Sequence, residues 1–285
     1  MCPHEGVLQG ALLSFRVLWS RRELLNLLVR REIKAKYKDS GLGIVWSLAR
    51  PLVLLGIYYL VIGKFLGVAK GMDYYAVYIY TGMAIWSLFQ ESVGQGTGSI
   101  ILNAGIVRKT SLPREIFPLT SIGAAIFNFV IQLAIAVILV LFTCGFNLSI
   151  NFLHLPLAIA VVLVWATAAA LLLSAMNVYM RDIQYLTEVV LMIGFYLSPI
   201  IYPWSMAGPY LGSVLGGVLQ QVYLANPVTL AVMGTQRVLW NSDPAYPWPS
   251  YLGYRLLIAL VVGLIALLAA QRVFHRLQRN FAQEI

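Results

Sequence analysis

Residues 20–63 read SRRELLNLLVRREIKAKYKDSGLGIVWSLARPLVLLGIYYLVIG, and two kinds of segment meet in them. Ser20 and Glu23 stand at capping-box spacing, where a hydroxyl takes one orphan amide of a helix start and a carboxylate reaches back to the cap. Leu24, Leu25, Leu27, Leu28 and Val29 follow, and then Arg30, Arg31, Glu32, Lys34, Lys36 and Lys38. A helix with an apolar side and a cationic end is the form of a segment lying in the membrane interface. Asp39-Ser40-Gly41 breaks it, and roughly 20 apolar residues come next, enough to cross a bilayer. A charged stop before a span accounts for the cations alone. It leaves the amphipathic turns before them unexplained.

The whole chain has 285 residues, 60% of them hydrophobic and 11% charged, with a mean hydropathy of +0.80. Soluble domains carry about 25% charged residues, so this is an integral membrane protein. No polar block is long enough to bury a core of its own. The expectation is one membrane domain over 1–285: a cytoplasmic interface region at 1–42, a bundle at 43–274 and a tail at 275–285.

The net charge of +9 could suggest nucleic acid, but its placement argues otherwise. Arg16, Arg21, Arg22, Arg30, Arg31, Lys34, Lys36 and Lys38 precede the first span. Arg108, Lys109, Arg114, Arg181, Arg272, Arg276 and Arg279 recur on the segments that alternation puts on the same side. By the positive-inside rule both ends are then cytoplasmic. Topology and lipid headgroups use the charge, and no nucleic-acid partner is implied. Cys2 and Cys144 fall on opposite sides by the same alternation, which suggests neither a disulfide nor a metal site. The first residues lack a signal-peptide pattern, so the first span should be retained as an anchor.

Six spans are expected, at about 43–66, 74–93, 117–143, 153–179, 183–202 and 251–273, each long enough for a bilayer. Residues 1–19 fit a short surface helix. Tyr74, Tyr75, Tyr78 and Tyr80 open the second span as an aromatic belt at the outer interface. The following Gly94-Gln-Gly-Thr-Gly98 has no strand before it, so it reads as close helix packing rather than a dinucleotide turn. Residues 103–118, NAGIVRKTSLPREIFP, are too polar to cross, and Pro113 and Pro118 set their direction. Pro199 and Pro203 must break the fifth span. From Trp204 to Ser250 the chain is half-apolar with frequent turn residues, which suggests short helices re-entering the outer leaflet, bounded by Asn226-Pro227. The fold class is all-α integral membrane.

These landmarks fall in the order of a known family. The basic helix with Tyr37-Lys-Asp-Ser-Gly-Leu-Gly43, Trp46 and Pro51 resembles the start of the permease subunit of ABC-2 type polysaccharide exporters. Asn103, Arg108-Lys109, Leu112-Pro113, Arg181-Asp182, Ser198-Pro199, Tyr202-Pro203 and Asn226-Pro227 continue the resemblance over about 20–275, nearly the whole chain. Exporters of O-antigen, teichoic acid and cell-wall galactan make up that family. The resemblance implies a homodimer of six-span subunits in the bacterial inner membrane, each over a separate ABC ATPase that holds the ATP and Mg, moving a lipid-linked polysaccharide. An ABC-2 exporter of a small amphiphile or drug is the alternative. An intramembrane enzyme acting on lipid-linked sugars is more distant, because clustered carboxylates or histidines are lacking. This chain has no G-x-x-x-x-G-K-[ST] loop, so it is not catalytic by itself. His4, His154 and His275 are scattered, and no metal site is expected.

The resemblance also assigns roles. Residues 103–118 resemble the coupling helix that seats in the ATPase, with Asn103, Arg108, Lys109, Pro113, Arg114 and Glu115 as its contacts. The interface helix, with Arg30, Arg31, Lys34, Lys36 and Tyr37, is the second contact and touches membrane lipids. Aromatic rings present apolar area with a polar tip, a surface on which sugars can slide. The resemblance favours spans one and five for that conduit: Trp46, Tyr58, Tyr59, Phe195, Tyr196 and Tyr202. Ser198, Pro199 and Pro203 are the candidate outer gate. Arg50 is the candidate entrance for a pyrophosphate-linked lipid carrier. Glu188, the other charge expected within the bilayer, is not suited to bind an anion.

Overall fold

The structure is a computed structural model that describes residues 20–38, 45–109, 112–145, 150–240 and 246–284. The expected surface helix at 1–19, the Asp39-Ser40-Gly41 break, Cys2 and His4 lie outside these residues. So do the side chains of Tyr37 and Trp46.

The described residues fold as α-helices joined by turns. In chain order these are α1 (Arg22–Tyr37), α2 (Val45–Tyr58), α3 (Tyr75–Leu102), α4 (Ala104–Lys109), α5 (Ile116–Phe142) and α6 (His154–Tyr179). Then come α7 (Asp182–Leu197), α8 (Trp204–Ser213), α9 (Val218–Leu224), α10 (Pro227–Leu239), α11 (Leu252–Leu277) and α12 (Phe281–Glu284). Pro51 lies inside α2, which runs on as a wider π-helical segment, Tyr59–Phe65.

The helix at the centre is α3, which packs against α2, α5, α6, α7 and α10. It does not stop at the glycines but continues through them to Leu102. A Cβ on Gly96 would lie 2.7 Å from the Cβ of Ala170, so the glycine is what lets α3 and α6 approach. The polar residues of this stretch satisfy themselves on the helix: Thr97 Oγ1 donates to Val93 O at 2.7 Å and Ser99 Oγ to Gly96 O at 2.7 Å. From α6, Asn177 Nδ2 donates to Thr97 O at 3.1 Å.

Among the described residues, four stretches are long and apolar enough to cross a membrane: Leu48–Phe65, Ile116–Phe142, His154–Tyr179 and Leu252–Asn280. The chain is a multi-pass membrane protein on that ground. The second and fifth expected spans fall outside this set for different physical reasons. α3 has 28 residues but faces protein on nearly all sides, so it needs no apolar coat. α7 has 16 residues because the proline pair ends it early.

That break is real, and the packing around it is built on it. After Leu197 the chain leaves the helix, and its carbonyls lose their helical donors. Tyr78 donates its hydroxyl to Pro199 O at 3.0 Å, with Tyr202 O at 3.4 Å. Tyr75 donates to Ile201 O. Gln236 Nε2, from α10, donates to the same Pro199 O at 2.9 Å and lies 3.4 Å from Tyr78 O. The aromatic belt is therefore corrected: Tyr74 is exposed, but Tyr75, Tyr78 and Tyr80 are fully buried. A buried tyrosine seeks an acceptor for its hydroxyl, and the broken segment supplies acceptors to Tyr75 and Tyr78.

At the start of α1, residue 21 rather than Ser20 takes the N-cap position. The stretch after Trp204 does form short helices, with α8 and α9 turning back on each other through Leu215, Gly216 and Gly217, all at positive φ. α10 is longer than α8 and α9 and more deeply buried. It is buried between α3, α6 and α11, capped by Asn226 with Pro227 in its first turn.

The Pro199 carbonyl has two donors, so the variants should be non-additive. Tyr78→Phe and Gln236→Leu are each expected to cost about 1 kcal/mol, and the double variant about 1 kcal/mol more than their sum. Denaturant unfolding in detergent measures this; strict additivity would mean that the carbonyl finds another donor.

Candidate functional site

The helix ends on the side of both described chain ends gather round a second apolar cluster. Ile100, Val107, Ile116, Phe117, Phe274 and Phe281 are buried in it, and Leu24, Leu25 and Leu28 of α1 pack against it. The amphipathic turns of α1 are thereby explained in part: Leu24, Leu25 and Leu28 face protein, whereas Leu27 is exposed along with Arg30, Arg31, Lys34 and Lys36. Val29 closes against α5, where a Cβ on Gly123 would come within 2.6 Å of it.

Polar contacts fix the register of α1. Arg31 Nη2 donates to Asn103 Oδ1 at 2.8 Å, and Asn103 Nδ2 donates to Ser99 O at 2.9 Å. Asn103 is the residue where α3 ends and α4 begins, so the interface helix grips that corner directly. Ser121 Oγ donates to Glu32 Oε1 at 3.3 Å. Burial raises the Glu32 carboxyl above the ordinary carboxylate range, opposed by that hydrogen bond and by Arg31 and Lys36.

Glu91 has a role that no sequence candidate covers. Lys36 Nζ lies 3.3 Å from its Oε2, and Asn128 Nδ2 of α5 donates to the same oxygen at 2.6 Å. A carboxylate inside an expected span and a lysine at the end of the preceding helix were the available signals. Pairing them requires knowing that α1 folds back along α5.

The charges after Asn103 divide. Arg108 and Lys109 of α4 are exposed, whereas Val107 between them and the bundle is buried. Pro113 precedes α5, and the next two residues turn inward. Arg114 donates to Gln278 O and stands 5.5 Å over the Phe281 ring. Glu115 is buried, and its Oε1 lies 3.0 Å from His275 Nε2.

Several candidate aromatics meet. Tyr58 stacks on Phe195 at 5.8 Å, Phe195 meets Tyr196 edge-on at 5.3 Å, and it meets Trp86 at 6.0 Å. Trp86 continues the row to Phe89 at 5.9 Å. This seam joins α2, α7 and α3, and Tyr196 remains half exposed at its edge. Tyr59 lies apart: with Lys64, Tyr74 and Tyr75 it lines a cleft of about 360 Å³, and the Lys64 ammonium sits 5.6 Å over its ring. Tyr202 belongs to the break, where it donates to Leu197 O at 2.9 Å and lies 3.2 Å from the Tyr223 hydroxyl. Ser198, Pro199 and Pro203 are buried there, with Ser198 Oγ donating to Gly194 O at 2.9 Å. Arg50 and Glu188 are exposed on their helices, and Gln184 Nε2 donates to Glu188 at 3.2 Å.

A family model described as ABC-2 type transporter matches residues 23–240. An O-antigen export system permease protein RfbA of Klebsiella pneumoniae is 26% identical over 262 residues, covering 92% of this chain and 94% of the relative. A protein of the same name from Myxococcus xanthus is 25% identical over 271 residues, covering 95% and 98%.

The Lys36–Glu91 pair is partly solvated, so its effect should be small but measurable. Lys36→Met is expected to cost about 0.5–1 kcal/mol in detergent unfolding, and adding Glu91→Gln should restore most of it. An unaltered Lys36→Met protein would mean that solvent screens the pair completely.

Proposed function

The chain belongs to the ABC-2 type transporter family, and from that premise we propose that it exports a lipid-linked polysaccharide of the O-antigen kind across the bacterial inner membrane. It is the non-catalytic membrane component, and a separate ATPase subunit supplies the energy. The observation that carries the substrate class is the likeness to O-antigen export permeases along 92–95% of the chain. The aromatic seam supports it, because rings offer flat, weakly polar faces that suit a sugar polymer moving in steps.

In this reading α2, α3, α5, α6, α7 and α11 are six spans with both ends cytoplasmic. α7 rises about 24 Å, short of a hydrocarbon core of about 30 Å, and the buried segment 198–203 completes the crossing. Two copies of the chain stand over two ATPase subunits. The half-exposed ring of Tyr196, with Tyr58 and Phe195 behind it, lines the conduit between the copies. The broken segment with α8 and α9 forms the outer gate, and Arg50 receives the anionic head of the lipid carrier.

α4 is the coupling helix. Its burial pattern supports this, since Val107 anchors it while Arg108 and Lys109 project outward. α1, tied to the start of α4 through Arg31 and Asn103, is the second contact.

The test is ATP turnover by the co-purified permease and ATPase in proteoliposomes. Lipid-linked polysaccharide extracted from the same cells should stimulate turnover; stimulation by small amphiphiles alone would replace the substrate class. Arg108→Glu should abolish the stimulated turnover while the protein still inserts. Loss of insertion instead would reduce this loop to a topology signal.

A further inference from the structure

The segment that the sequence shows only as a basic tail carries unexpected burial. Phe281 follows Arg276 and Arg279, yet its side chain is fully buried, as is that of Phe274. The two rings meet edge to face at 5.7 Å, and Tyr179 meets Phe281 at 6.1 Å. The Tyr179 hydroxyl donates to Leu277 O at 2.7 Å, which fixes the end of α11 against α6.

What this segment holds is the chain leading out of α4. Arg114 donates to Gln278 O and covers Phe281. Glu115 places a carboxylate only 5% exposed beside His275. A carboxylate so enclosed needs its cationic or hydrogen-bonding partner, so the grip is costly to release. Phe281 and Phe274 also share their cluster with Val107 of α4, Ile116 and Phe117 of α5, and Ile100 of α3.

We propose that residues 274–281 are a positioning clamp for the coupling segment. They hold Arg114 and Glu115, so that a displacement of α4 by the ATPase passes into α5 and α3 instead of being absorbed between α4 and α5. A short helix followed by an unheld connection would yield locally, whereas a packed element with one arrangement transmits the push. The proposal rests on the reading of α4 as the ATPase contact.

The experiment measures polysaccharide moved per ATP hydrolysed in the reconstituted complex, using lipid-linked polysaccharide extracted from the same cells. A Gly105→Cys label on the exposed side of α4 reports the ATPase contact by cross-linking. Phe281→Ala should lower the ratio at least about fivefold at unchanged cross-link yield, and Phe281→Leu, which keeps an apolar plug, should stay near the parent ratio. Where Phe281→Ala fails to assemble, Glu115→Gln is used; it removes the ion pair but keeps an acceptor, and the ratio should again fall. A cross-link with an unchanged ratio overturns the clamp alone, as does equal loss in Phe281→Ala and Phe281→Leu. No cross-link in the parent complex overturns the coupling role of α4, and the clamp with it.

Discussion

Carbonyl groups freed inside an apolar bundle must find donors, and one half of this protein is arranged around that need. Pro199 and Pro203 end α7 early and leave the carbonyls of Pro199, Ile201 and Tyr202 without helical partners. Tyr75 and Tyr78 of α3 and Gln236 of α10 supply the donors. Without water, an unsatisfied group of this kind costs several kcal/mol, roughly the scale of a whole helix contact. The position of α10 follows: its glutamine must reach the break, so a helix carrying Thr229, Thr235 and Gln236 lies in the core rather than at the surface.

α3 connects that region to the second apolar cluster at the opposite end of the bundle. Its upper turns carry the tyrosines, its middle carries Trp86 and the seam with Phe195, and its lower turns narrow to glycine and threonine against α6. At the bottom, Asn103 closes the helix and is held by Arg31 of α1. One continuous helix therefore links the broken segment, the aromatic seam and the corner held by α1.

The charged residues sort by what surrounds them. Arg108 and Lys109 are exposed at the edge of the second apolar cluster. Arg114 and Glu115, only a few residues on, are occupied by the segment after α11. Lys36 and Glu91 neutralise each other where α1 folds along the bundle. Sequence spacing alone does not tell these charges apart; packing shows which are exposed and which are buried or paired.

Composition and hydropathy determined that the chain is an all-helical membrane protein, because a long apolar run can satisfy its backbone in lipid only as a helix. The ordered landmarks, from Tyr37 through Asn226-Pro227, were enough to identify the family, and Pro199-x-x-x-Pro203 was enough to locate the break. The packing decided the rest. Tyr75, Tyr78 and Tyr80 look the same in sequence whether they form a belt or a core, and only the packing buries them, with the broken segment taking the hydroxyls of Tyr75 and Tyr78. Likewise nothing in HRLQRNFAQEI announces that Phe281 is enclosed, or that Glu91 answers Lys36. Those partners are brought together by the way helices distant in sequence pack, and local pattern records an element's own faces but not the neighbour that each face will meet.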